Sequence, residues 1–136
     1  MEHKVFAIDF DGTISTEEFF PKTGHPIPLA KEVINEIREL GGTVIIWTCR
    51  SGDAEHAAKQ YLFDNKIGYD HINENCSVMK ERYENDPRKI GADIYIDDKS
   101  IFEPINWSKI ARHIFSVEEY INFLRKLENN NVNNWL

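Results

Sequence analysis

In VFAIDFDGT, Val5 to Thr13, four apolar residues run straight into two aspartates separated by one residue, and a glycine follows. A short apolar run closed by turn residues predicts a strand buried on both faces, as in a parallel sheet. Residues two apart leave a strand on the same side, so Asp9 and Asp11 can face one site. An Asp-Gly turn accounts for a single polar strand end. Here the pattern occurs three times: TVIIWT, 43 to 48, leads into Thr48-Cys49-Arg50-Ser51-Gly52, and ADIYID, 92 to 97, into Asp97-Asp98-Lys99-Ser100.

Between these runs the period changes to that of helices. Leu29, Val33, Ile37 and Leu40 fall on one face of a helix over 29–40 that Gly41-Gly42 ends. Ala54, Ala57, Ala58, Tyr61 and Leu62 form the inner stripe of a second over 53–65, and 66–73 carries a short strand. Short helices are expected near 78–84 and 107–113. A final helix over 117–128 opens on the capping-box pair Ser116 and Glu119. The alternation is that of an α/β domain with a mostly parallel sheet. One domain over 1–128 and a polar, Asn-rich tail over 129–136 are expected, Trp135 or Leu136 being able to dock back.

The totals agree with a single globular unit of 136 residues, 41% hydrophobic and 29% charged. No apolar run approaches the ~20 residues that cross a bilayer, and MEHKVFAID has neither an apolar leader segment nor a cleavage site, so a cytoplasmic protein is expected. Cys49 and Cys76 lack metal-ligand spacing and read as free thiols. A net charge of −7 argues against an extended nucleic-acid surface, though not against a pocket for one phosphate.

In an open parallel sheet the strand C-termini share one edge, where ligands bind. Asp9, Asp11, Asp97 and Asp98 would then gather, and close carboxylates require protons or a cation. An all-oxygen donor set without His or Cys selects a hard ion, and Mg²⁺ suits it.

These residues resemble the haloacid dehalogenase superfamily of phosphohydrolases. Asp9-Phe10-Asp11-Gly12-Thr13 is similar to its first motif, D-x-D-G-T; Thr48 to its second; a lysine ahead of the last site strand to its third; and Ile96-Asp97-Asp98 to its acidic fourth, all in the family's order. The resemblance implies a three-layer Rossmann-like fold and a Mg²⁺-dependent phosphatase. Asp9 would be the nucleophile that forms an aspartyl phosphate, Asp11 the general acid and base, Thr48 a phosphoryl donor and Lys89, with Lys80 in reserve, the charge-balancing cation. The metal ligands would come from Asp9, Asp11, Asp98 and Asp97, Asp98 favoured over Asp97 for direct contact, with the Phe10 carbonyl as a further oxygen. Thr48, Cys49, Arg50 and Lys89 are the substrate-contact candidates; Ser51 or Asp53 also suits an N-cap.

Members of that family carry a flap after the first motif, here 15–28 with Phe19 and Phe20. The spacing of the motifs leaves no room for a cap domain. An uncapped site implies a large phosphoester or a lid borrowed from another subunit, so a homo-oligomer through the 15–28 flap is one expectation. The rival reading is a phosphate- and Mg²⁺-binding signalling module, either inactive or of the receiver type. Receivers accept phosphate at a middle strand, which in this chain's order ends in Thr48.

Overall fold

The structure is a computed structural model and describes residues 1–101 and 103–130. In chain order the elements are β1 (Val5–Ile8), α1 (Ala30–Glu39), β2 (Thr43–Ile46), α2 (Gly52–Asp64), β3 (His71–Ile72), α3 (Ser77–Tyr83), β4 (Ile94–Ile96), α4 (Trp107–Ile114) and α5 (Val117–Asn129). The expected tail segment 131–136, with Trp135 and Leu136, lies outside the described residues.

The four strands form one parallel sheet in the order β3-β2-β1-β4. β1 is therefore internal, and its neighbours are the strands that lead to Thr48 and to Asp97. Its alternation divides the core. Phe6 and Ile8 pack with Val44 and Ile46 against residues of α1, α2, α4 and α5, while Val5, Ala7 and Ile45 pack with Met79 of α3 and with Cys76 and Ile90. Helices on both faces of a parallel sheet make this an α/β, three-layer Rossmann-like fold, as expected.

Local chemistry sets the element ends. α1 stops where Gly41, at φ 91, lets the Gly42 and Gly41 N–H groups return to the carbonyls of Ile37 and Arg38, a Schellman closure. α5 starts on the expected capping box, both Ser116–Glu119 bonds being formed. Ser51 is the N-cap of α2, but its hydroxyl makes no capping bond. The run 92–97 departs from expectation: only 94–96 is strand, and Tyr95 is exposed because β4 is the edge of the described sheet.

Among the described residues, no helix is long and apolar enough to cross a membrane. Acids also stand at the opposite, N-terminal edge of the sheet. There Asp70 accepts from Val44 N–H and pairs with Arg38, and Asp93 accepts from Val5 N–H and pairs with Arg82. Backbone and arginine donors neutralise those carboxylates.

Candidate active site

The C-terminal edge treats its acids differently. The amide of Asp9 continues the ladder to Ile96 O at 2.9 Å, so Asp9 and the Asp97-Asp98 pair leave adjacent strands side by side. One carboxylate oxygen from each of Asp9, Asp97 and Asp98 lies within 4.8 Å of the other two. Burial first, then the adjoining Asp98 carboxyl and the charge of Asp97, raises the Asp9 carboxyl from 3.8 to about 8, against a lowering by the Thr13 hydroxyl. Three half-buried oxygen donors with too little positive charge around them form a set that fits a hard cation.

Two neighbours that sequence reasoning did not assign shape this edge. The buried Thr13 hydroxyl is 3.1 Å from Asp9 Oδ2 and 3.4 Å from Asp98 Oδ1, and it accepts the Asp98 N–H at 3.0 Å. It therefore bridges the first and last motifs. Trp107 Nε1 donates to the Thr13 carbonyl at 2.8 Å, pinning the turn from α4. Gly12, at φ 83, is needed twice over: the backbone is left-handed there, and a Cβ would collide with the Asp98 carboxylate.

The expected Phe10 carbonyl ligand is corrected. That oxygen accepts three turn N–H groups, from Thr13, Ile14 and Ser15 at 3.3, 2.9 and 3.2 Å, and is spent on closing the turn. Asp11 stands apart from the three-acid cluster. Its two oxygens accept from Arg50 Nε and Nη2, both at 2.8 Å. Arg50 in turn is corrected as a substrate contact, because its side chain has no solvent exposure and its five N–H groups are all engaged within the chain.

Thr48 is buried at the end of β2. Its hydroxyl accepts the Arg50 N–H at 3.1 Å, which leaves the hydroxyl proton free for another acceptor. Asn73, in the left-handed region at φ 53, grips the Thr48 backbone on both sides: Oδ1 accepts Thr48 N–H and Nδ2 donates to Thr48 O, both at 2.8 Å. Asn tolerates that conformation, which is the one hint the sequence held. Cys49 is exposed beside it.

The lysine expectation is also revised. Lys89 lies over the Tyr95 ring at 5.1 Å, and Lys80 pairs with Asp86. Neither pairs with an acid of the cluster among the described residues. Lys99 does so, its Nζ 3.7 Å from Asp98 Oδ2 and 3.4 Å from Glu17 Oε2; these charges, Asp98 first, hold its ammonium above its ordinary range. A cleft of about 590 Å³ opens on Asp98, the one member of the trio in its lining, with Gly12, Glu17, Glu18 and Glu103 among its walls. The flap beside it is a small hairpin: Ser15 bridges Pro26, Thr16 N–H donates to His25 O, and Phe19 and Phe20 are both about half exposed.

No protein-family model matches the chain, and no curated protein matches it. Among solved structures, a conserved protein from Bacteroides thetaiotaomicron is similar in fold, with a TM-score of 0.72 and 24% identity over 87% of this chain and 97% of that one. A crystallographic target protein from Vibrio cholerae aligns over 90% of this chain and 98% of its own at 20% identity, with a TM-score of 0.41. The first likeness establishes the fold alone.

Proposed function

We propose that this chain is a Mg²⁺-dependent phosphatase of the haloacid dehalogenase type, hydrolysing a phosphate monoester through an aspartyl phosphate on Asp9. The observation that carries the reading is the trio Asp9, Asp97 and Asp98, within 4.8 Å of one another at the C-terminal edge of a parallel sheet. The four motif-like stretches support it from the sequence side.

Asp9, Asp98 and Asp97 would hold the ion, which, when bound, offsets the charge of both the nucleophile and the phosphoryl group. An Asp9 oxygen attacks phosphorus. The bond from phosphorus to the ester oxygen breaks, its electron pair leaves with that oxygen, and Asp11, entering the step protonated at a lone pair that its bonds from Arg50 leave open, supplies the proton. Water then attacks phosphorus, Asp11 takes its proton, and the bond between the phosphoryl group and Asp9 breaks to return the carboxylate and free phosphate. Thr48 donates its unengaged hydroxyl proton to a phosphoryl oxygen, and Lys99, in place of Lys89, balances the developing charge.

The test is phosphate release from p-nitrophenyl phosphate with and without Mg²⁺, by the natural chain and by Asp9→Asn. Activity should require the ion and fall on the order of 10³-fold or more in the variant, the amide being no nucleophile. Turnover that persists in Asp9→Asn refutes the assignment. Mg²⁺ binding without turnover of any ester would instead favour a binding module, and a phosphoryl group that stays on the protein would favour a receiver.

A further inference from the structure

Arg50 is a buried cation whose guanidinium joins three parts of the molecule. Nε and Nη2 hold both oxygens of Asp11, Nη2 also donates to Lys22 O at 3.0 Å, and Nη1 donates to Pro21 O at 2.7 Å and Ala54 O at 2.8 Å. Two aromatic rings also lie near it, with the guanidinium carbon 5.1 Å from the Phe10 centroid and 4.9 Å from that of Phe20. Pro21, Lys22 and Phe20 belong to the flap, Ala54 to the first turn of α2, and Asp11 to the first motif.

A buried arginine kept only for neutralisation needs one carboxylate. Here the carboxylate is the one read as the proton donor, and the remaining donors reach the tip of the flap and α2. With no spare N–H, the guanidinium cannot shift toward the flap or away from it without loosening its hold on Asp11. Among the described residues the base of the flap is held by Gly12 N–H to Ser15 O and by the exposed Lys99–Glu17 pair, whereas the backbone bonds nearer its tip, such as Thr16 N–H to His25 O and Lys22 N–H to Phe19 O, run within the hairpin.

We propose that Arg50 is a positioning residue that ties the flap to Asp11, so that seating the flap and aiming the acid are one event. The proposal rests on the reading of Asp11 as general acid, and its test separates the two. Hydrogen exchange is followed at the flap amides of Lys22, Gly24 and His25 in the natural chain, in Arg50→Lys and in Asp11→Asn. Both variants should exchange about tenfold faster or more at these amides with the β2 amides unchanged, since each cuts the link from a different end.

The second readout compares an alkyl phosphate with 2,4-dinitrophenyl phosphate, whose leaving group departs without a proton. Arg50→Lys should lose kcat on the alkyl ester by about tenfold more than on the aryl ester, with KM changing little. Flap exchange unaltered in both variants overturns the coupling. Equal losses on the two esters overturn the positioning role and leave Arg50 a structural residue. If Arg50→Lys does not fold, Asp11→Asn decides the flap arm; if the natural chain hydrolyses neither ester, the phosphatase reading fails while the exchange result still decides the coupling.

Discussion

Asp9 shows what a single residue pays for its place. Its carboxyl is raised from 3.8 to about 8, by burial first and by Asp98 and Asp97 next. Across that window the folded chain keeps a proton that the unfolded chain has released, so this residue's contribution to stability falls as pH rises. Without added metal, the melting temperature of Asp9→Asn relative to the natural chain should therefore climb from roughly pH 5 to roughly pH 9. Mg²⁺ should shrink that difference by stabilising the ionised trio. A difference that stays flat with pH would contradict the raised carboxyl. Asp9 itself was legible, because an apolar run stops on it. Thr13 was not: that its hydroxyl spans Asp9 and Asp98 depends on two segments far apart in the chain meeting. Lys99 was passed over for the same reason, since spacing along the chain favoured Lys89 whereas Tyr95 holds that side chain elsewhere.

Among elements, the helices were the clearest in the sequence, because an apolar stripe and its caps are local. α1, α2 and α5 lie within a residue or so of their expected spans. What local pattern leaves open is how helices join. Glu36 of α1 is buried and meets Lys126 of α5, with Nζ 2.5 and 3.0 Å from its two oxygens. Lys126→Met leaves that carboxylate without its cation, and urea unfolding should show a loss of about 1–3 kcal/mol, moderated because the lysine is half exposed. Replacing Glu36 by Met as well should recover most of it, since the cost lies in the stranded charge. β4 illustrates the converse: its composition reads as a buried strand, yet it lies at the sheet edge, and only strand order reveals that.

At the scale of the whole molecule the chain carries a net charge of −7, and Glu17, Glu18 and Glu103 line the cleft that opens on Asp98, Glu17 and Glu103 being paired with Lys99 and Lys109. Such a mouth repels polyanions. An oligonucleotide bearing a terminal phosphate should be hydrolysed with lower kcat/KM than a monoester with a neutral leaving group. The gap should narrow several-fold as ionic strength rises from about 0.01 to about 0.15 M, the screening length falling from about 30 to about 8 Å; a gap indifferent to salt would point to shape instead. By itself the sequence determined the α/β class, the strand ends that bear acids and the threonine between them, because burial and turn chemistry write those features into short windows. Only the tertiary structure decided that Arg50 is a buried tie, that Asn73 clamps Thr48 and that Asp11 stands apart from the three clustered carboxylates. A side chain's partner is chosen by packing among distant segments, and no local pattern records that choice.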